Sequence, residues 1–96
     1  MAYRLVYHPA VLQNDLPPIN RDVQRRLYRA IAQRLTVQPT YYGEPLRYQL
    51  KGYWKLRVGD YRILFQIVGQ EVWVLRIHHR KDVYAVPPQR LFCRPS

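Results

Sequence analysis

The chain has 96 residues, which is the size of one domain with one hydrophobic core and excludes a multidomain enzyme. Hydrophobic residues make up 48% of the composition and charged residues 23%, which excludes an intrinsically disordered chain. The 16 Lys and Arg residues against 6 Asp and Glu residues give a formal charge of +10, so the favoured partner is a nucleic acid or an acidic protein.

Several classes of site and segment have no signature in the sequence. The single cysteine, Cys93, excludes an internal disulfide and a zinc site built from several cysteines. Adjacent His78 and His79 point in opposite directions in a strand and have no carboxylate cluster, which disfavours a metal site. Nucleotide-binding loops and serine-triad motifs are absent, so we expect no metal and no small-molecule cofactor. Without a signal-peptide pattern or an apolar run of about 18 residues, we expect a cytoplasmic protein with no membrane partner.

The N-terminal part of the chain predicts one strand and two helices. Residues 3–7 alternate apolar and polar side chains, as in a strand. Residues 9–16 predict about two helical turns, which Pro17-Pro18 must stop. A longer helix over residues 20–35 begins at Asn20, a favourable N-cap. Its apolar positions recur every four residues: Ile19, Val23, Leu27, Ile31 and Leu35.

The remainder predicts a loop followed by strands. Residues 38–45 contain two prolines and a glycine, which is typical of a loop. Turn signals at Gly59-Asp60 and Gly69-Gln70 separate the strand-like runs, which are residues 53–58, 61–68 and 71 to 78 or 79. Connections this short require antiparallel neighbours. We therefore expect an α+β fold with two N-terminal helices on a small antiparallel sheet, in the order β-α-α-β-β-β, over residues 1–86, with residues 87–96 as a tail.

The turn at Gly59-Asp60 predicts which residues share a face of the sheet. A two-residue loop places Val58 opposite Tyr61 and Arg57 opposite Arg62, and opposed residues share a face. The apolar, helix-covered face then carries Trp54, Leu56, Val58, Tyr61, Ile63 and Phe65. The other, basic face carries Tyr53, Lys55, Arg57, Arg62 and Gln66. Opposed arginines repel each other unless an anion such as phosphate lies between them; the alternative is that both extend into solvent or pair with aspartates.

The same register, extended through Gly69-Gln70, assigns the faces of the last strand. It places Trp73, Leu75, Ile77 and His79 on the basic face. It places Val72, Val74, Arg76 and His78 on the core face. A charged Arg76 in the core is a conflict, which either a bulge or the end of the strand would resolve.

Metal-free RNA cleavage requires a base for the 2′-hydroxyl, cations for the scissile phosphate and an acid for the leaving 5′-oxygen. Candidate groups of these kinds are Glu44, Lys55, Arg62, His79 and Tyr84. Three of them also have a purely structural alternative: an ion pair for Glu44, the end of a strand for His79 and an anchor of the tail for Tyr84. Further candidates for RNA contacts are Lys51, Tyr53, Arg57, Arg80 and Lys81.

Short motifs along the chain resemble one toxin superfamily in their order and spacing. They are Gly43-Glu44-Pro45-Leu46, Leu50-Lys51-Gly52-Tyr53-Trp54, Arg57-Val58-Gly59-Asp60-Tyr61-Arg62 and His79-Arg80-Lys81-Asp82-Val83-Tyr84. On these motifs, residues 3–84 resemble the RelE/ParE superfamily of bacterial type II toxin–antitoxin systems, which includes the ribosome-dependent mRNA interferases. The resemblance implies a helical pair packed on a small antiparallel sheet, in agreement with the pattern above.

The resemblance also implies roles for particular residues. In RNA-cleaving members, the arginine that matches Arg62 holds the scissile phosphate. Members of the YoeB type imply Glu44 as general base and His79 as acid. RelE itself implies a different set: Lys55, Arg80 and Tyr84. Tyr53 stands where RelE has a further lysine, and the chain continues past its last motif, unlike the YoeB type, so the resemblance leaves the proton-transfer groups open.

The sequence therefore predicts the toxin of a type II system, acting as a ribosome-dependent mRNA endoribonuclease. Its expected partners are a cognate antitoxin with an acidic segment, the ribosome and mRNA. The alternatives are a non-enzymatic ParE-like toxin that inhibits DNA gyrase, and an attenuated orphan that only binds RNA or an antitoxin. Acid and base candidates in one chain favour cleavage, because a binding module has no need of them.

Overall fold

The computed structural model describes residues 2–47 and 51–81, which form a five-stranded sheet with its helices packed on one face. In chain order the elements are β1 (Arg4–Tyr7), a π-helical turn (Val11–Asp15), α1 (Arg21–Leu35), α2 (Pro39–Tyr42), β2 (Glu44–Pro45), β3 (Trp54–Val58), β4 (Tyr61–Val68) and β5 (Glu71–His79). The candidate Tyr84, the domain boundary after residue 86 and the tail over residues 87–96 lie outside the described residues.

The sheet is mixed, so the expectation of a purely antiparallel sheet is wrong. The strand order is β1-β5-β4-β3-β2, in which β1 pairs parallel with β5 and the other neighbours are antiparallel. The chain leaves β1 through helices and returns through a meander of antiparallel strands, so the last strand arrives beside the first. This long-range pairing places β5 in the interior of the sheet and leaves β1 and β2 as its edge strands.

The long helix α1 confirms the predicted N-cap and apolar stripe. The Asn20 side chain accepts a hydrogen bond from the backbone N–H of Asp22 at 2.8 Å. The buried positions of the helix are Leu27, Ala30, Ile31 and Leu35, which join the core over the sheet. Each large apolar side chain buried in this way contributes about 1.5–3 kcal/mol. The remaining faces of α1 leave most of its arginines exposed.

The first predicted helix is a single π-helical turn rather than two α-helical turns. The Leu16 backbone N–H bonds to the Val11 carbonyl at 2.9 Å, five residues earlier. This widened turn places Asp15 against the sheet, where its Oδ2 accepts a hydrogen bond from the Ile77 backbone N–H at 2.9 Å. The pairing of β5 with β1 ends at Val74. Beyond that point, the Asp15 side chain accepts a hydrogen bond from the backbone of β5.

The prediction that residues 38–45 form only a loop is wrong, because two short elements, α2 and β2, lie within them. Pro39 begins α2, and Gly43 follows it in extended backbone. A Cβ on Gly43 would lie 2.5 Å from the Phe65 ring and 2.8 Å from the Pro39 carbonyl. The glycine lets the chain pass close to the core and enter β2 at Glu44.

The pairing of β3 with β4 confirms the predicted register, including Arg57 opposite Arg62. The register between β4 and β5 shifts at Leu64/Phe65, because Leu75 is an extra residue between Val74, which faces Phe65, and Arg76, which faces Leu64. The predicted faces after this point are therefore wrong. Ile77 and His79 lie on the helix-covered face, while Arg76 and His78 lie on the opposite face.

Candidate functional site

The sheet face opposite the helices, called the outer face below, brings four of the ten candidate residues together in two rows. The first row, from β2 to β5, is Glu44, Lys55, Leu64 and Arg76. The second row, from β3 to β5, is Arg57, Arg62 and His78. Neighbouring rows on one face are about 7 Å apart along a strand, so a single phosphodiester can reach side chains of both.

Glu44 and Lys55 form an ion pair within the first row. Their side chains approach to 3.6 Å between Glu44 Oε2 and Lys55 Nζ. The carboxylate side chain is 60% exposed and that of the lysine 27% exposed. The backbone pairing of β2 with β3 holds the two residues opposite each other, so the carboxylate is positioned at the edge of the basic face and remains open to a ligand.

Arg62 is held over the β3–β4 turn by neutral acceptors. Its Nη1 donates to the carbonyl of Gly59 at 3.2 Å and to that of Tyr61 at 3.1 Å. No ion pair found within residues 2–47 and 51–81 involves Arg62 or the opposed Arg57. Two guanidinium groups with uncompensated charge on adjacent strands form a local anion-binding surface.

His79 lies on the opposite side of the sheet from Arg62. It faces Tyr61 in the register, and the two rings meet edge to face with their centroids 5.6 Å apart. Tyr61 packs against the hydrophobic core beneath the helices. The His79 Nδ1 accepts a hydrogen bond from the backbone N–H of Lys81 at 3.2 Å, which fixes the turn after β5. The structure thus does not bring His79 into the outer-face rows.

Arg76 and His78 lie on the outer face, whereas the sequence pattern predicts them on the core face. His78 is only 4% exposed, and Arg76 is half-buried. One signal for this position is present in the sequence, because a charged arginine is unfavourable in the predicted core. A bulge before Arg76 removes the conflict and moves both residues to the face of Arg62.

The remaining candidates lie around the edges of the outer face. Arg80 forms an ion pair with Asp60, with 3.7 Å between Nε and Oδ1, and its backbone N–H bonds to the Asp60 carbonyl at 2.8 Å. These contacts join the end of β5 to the β3–β4 turn. Lys51 and Lys81 are exposed, and the half-buried Tyr53 uses its carbonyl to accept from the backbone N–H of Leu46 at 2.9 Å.

No group of three or more His, Cys, Asp or Glu side chains able to hold a metal ion occurs within residues 2–47 and 51–81. Over that same part of the chain, every helix is too short or too polar to cross a bilayer.

Comparisons with known proteins identify the family. Residues 5–84 match the family model of the ParE toxin of the type II toxin–antitoxin system parDE. Over 52 residues the chain is 40% identical to Toxin RelG of Mycobacterium tuberculosis, a match that covers 52% of this chain and 60% of that protein. The chain thus spans less than two thirds of the length of this curated relative.

Solved structures give the same fold. The toxin–antitoxin complex RelBE2 from Mycobacterium tuberculosis contains a chain that is 28% identical, with a TM-score of 0.74 over 83% of this chain and 100% of that one. A mutant of the E. coli toxin RelE in the free state has a TM-score of 0.67 at 18% identity, over 84% of this chain and 86% of that one, and shows the fold alone. Because the family model spans most of its length, this chain belongs to the ParE toxin family of type II toxin–antitoxin systems, within the RelE/ParE superfamily.

Proposed function

We propose that this toxin is a ribosome-dependent endoribonuclease that cleaves mRNA without a metal ion. The observation that carries the proposal is the position of the Glu44–Lys55 pair beside the opposed Arg57 and Arg62 on one face. A carboxylate next to several cations offers a base and a phosphate-binding surface to the same phosphodiester.

In the proposed reaction, Glu44 removes the proton of a ribose 2′-hydroxyl. The 2′-oxygen then attacks the adjacent phosphorus, and the bond from phosphorus to the 5′-oxygen breaks. Arg62, with Arg57 and Lys55, stabilises the negative charge that builds up on the phosphate oxygens. The products are a 2′,3′-cyclic phosphate, which hydrolyses to a 3′-phosphate, and a fragment with a 5′-hydroxyl.

The leaving 5′-oxygen requires a proton, and we assign Tyr84 as the proton donor. The assignment rests on the sequence resemblance, in which Tyr84 matches the tyrosine of RelE. His79, the other candidate, contacts Tyr61 on the helix-covered face and is separated from Arg62 by the sheet. Arg80 belongs to the same motif as Tyr84, and its side chain is 56% exposed. It supplies a further cation for the phosphate.

We further propose a cognate antitoxin as the protein partner. The similar structure from Mycobacterium tuberculosis is that of a toxin–antitoxin complex. A formal charge of +10 attracts an acidic segment and accelerates its association. Such a segment would neutralise the toxin by covering the outer face.

The second candidate function is inhibition of DNA gyrase by binding, and the match to the ParE family model favours it. The two functions differ in what happens to RNA. A gyrase inhibitor leaves translated messages intact and blocks supercoiling, whereas the nuclease cuts within codons and leaves supercoiling unaffected.

The ends of the RNA fragments test the proposed chemistry. Messages cut in a translation extract should carry 5′-hydroxyl ends, which a polynucleotide kinase labels without prior phosphatase treatment. Fragments with 5′-phosphate ends would refute attack by the 2′-hydroxyl. An extract in which the folded toxin leaves messages uncut but gyrase loses supercoiling activity would support the second function instead.

A further inference from the structure

A second cationic surface lies in a groove between α1 and the β3–β4 turn, next to the outer-face row at Arg57. The groove has a volume of about 450 Å³. Its lining consists of Arg26, Arg29, Ala30, Gln33, Arg34, Arg57, Val58 and Gly59. We call it the arginine groove. Ala30 and Val58, each 8% exposed, belong to the hydrophobic core and form its apolar floor.

Helical spacing explains why α1 supplies most of the lining. Arg26, Ala30 and Arg34 follow one another at intervals of four residues. Arg29 and Gln33, also four apart, lie in the neighbouring row, so the five residues form one stripe along the helix. The fourth arginine, Arg57, comes from β3. The neighbouring strand β2 pairs only with Trp54 and Lys55, so it does not cover the edge of β3 at Arg57.

No carboxylate among the described residues compensates the charges of the groove. The described part of its lining contains four arginines and no acidic side chain. None of the ion pairs among the described residues involves any of these arginines. Like charges gathered around one concave surface repel each other, and a bound polyanion relieves this repulsion.

Exposed aromatic rings lie beside the groove. The Arg34 guanidinium carbon lies 5.9 Å from the centroid of the Tyr42 ring. Tyr42 meets Tyr41 edge to face at a centroid distance of 5.0 Å, and Tyr41 is 74% exposed. Exposed rings next to arginines offer both stacking for bases and charge for phosphates, which is the combination used to bind single-stranded nucleic acid. An acidic peptide would use the charge alone.

We propose that the arginine groove binds the phosphodiester backbone of RNA outside the scissile phosphate, with Tyr41 available to stack on a base. This proposal rests on the proposed function, since it concerns the same RNA-directed activity. Arg57 belongs both to the groove and to the outer-face row with Arg62, so the two surfaces meet at this edge of β3. The RNA bound there is the message beyond the cleaved codon, because the groove adjoins the outer-face row proposed to hold the scissile phosphate.

The test compares two double variants of α1 with equal change of charge. Arg26→Gln with Arg29→Gln alters the groove, whereas Arg21→Gln with Arg25→Gln removes two exposed arginines that do not line it. Both are made with Arg62→Ala, so that binding is measured without cleavage. Binding of a fluorescent 12-nucleotide single-stranded RNA is followed by anisotropy at several salt concentrations, and binding to empty ribosomes by co-sedimentation.

If the groove binds the message, the groove variant should bind the oligonucleotide about tenfold more weakly than the control, with a salt slope smaller by about 1.4 for two lost phosphate contacts. Tyr41→Ala should then weaken binding without changing the slope. A defect confined to ribosome binding would overturn the proposal, because it would assign the groove to ribosomal RNA instead of the message. Equal binding of the oligonucleotide by the two double variants would also overturn it.

These outcomes remain separate from the proposed function. If the toxin cuts messages and the groove variant binds RNA as well as the control variant does, RNA binding by the groove is refuted and the nuclease function is not. A toxin that binds RNA through the groove and never cuts refutes the nuclease alone.

Discussion

Lys55 Nζ lies 3.6 Å from Glu44 Oε2 at the edge of the outer face, where the short strand β2 pairs with β3. As an exposed ion pair this contact adds at most about 1 kcal/mol to stability. Its importance lies in position, because it places a carboxylate in the row next to Arg57 and Arg62. Stability and activity should therefore respond differently to its removal.

Replacement of Glu44 by glutamine should abolish most of the cleavage while leaving the fold intact. Loss of a general base lowers the rate by about 10²–10⁴-fold. The free energy of unfolding should change by less than about 0.5 kcal/mol. Single-turnover cleavage on programmed ribosomes and urea denaturation measure the two quantities. Asp22→Asn, which removes the exposed carboxylate paired with Arg25 at 3.6 Å, is the matched control and should cleave normally. Unchanged cleavage by Glu44→Gln would exclude Glu44 as the base.

His79→Gln should retain cleavage within about threefold of the unmodified toxin, because the imidazole contacts Tyr61 on the helix-covered face. Tyr84→Phe should lower the rate by about 10²-fold or more, as expected for loss of the acid. Cleavage rates of both variants are compared at equal occupancy of the ribosome. A large loss in His79→Gln with normal thermal stability would reverse the assignment of the acid.

Gly43→Ala should destabilise the protein by about 1–3 kcal/mol, the usual effect of overpacking. The added Cβ would lie 2.5 Å from the Phe65 ring and 2.8 Å from the Pro39 carbonyl. Because Gly43 directly precedes Glu44, the strain should also lower cleavage. Urea denaturation is the measurement, and Thr40→Ala on the exposed side of α2 is the control. Equal stability of the two variants would show that the chain can relax at this point.

Tyr7 should make stability fall at high pH. Burial, together with the smaller effect of the nearby Tyr28, raises the pKa of Tyr7 from 10.0 to about 12. The neutral phenol is thus favoured in the folded state, and its contribution is complete below pH 10 and is lost as pH rises towards about 12. The free energy of unfolding should therefore decrease more steeply over this interval than in Tyr7→Phe. Parallel pH profiles for the two proteins would contradict the raised pKa.

Local signals in the sequence predicted the elements of this fold better than its long-range pairing. Asn20 and the four-residue apolar spacing predicted α1, and Gly59-Asp60 predicted the register of β3 with β4. The parallel pairing of β1 with β5 joins residues far apart in the chain, and no short connection indicates it. The π-helical turn also depends on a distant contact, since Asp15 bonds to Ile77.

The same distinction applies to the candidate site. The sequence predicted that Lys55, Arg57 and Arg62 share a face, because a tight turn fixes their register. It misplaced His78 and His79, because the single extra residue Leu75 reverses the alternation of every residue that follows it. The position of a bulge depends on how side chains pack across neighbouring strands. The pattern of apolar residues within one strand carries no information about that packing.

Ribosome-dependent cleavage of mRNA is tested most directly by primer-extension mapping in a bacterial translation extract, with ribosome-loaded and free message compared. We expect cuts within translated codons that require ribosomes, disappear in Arg62→Ala and persist in Arg21→Ala, an exposed arginine of α1. Intact message in the presence of folded toxin, or unchanged cuts with Arg62→Ala, would contradict it.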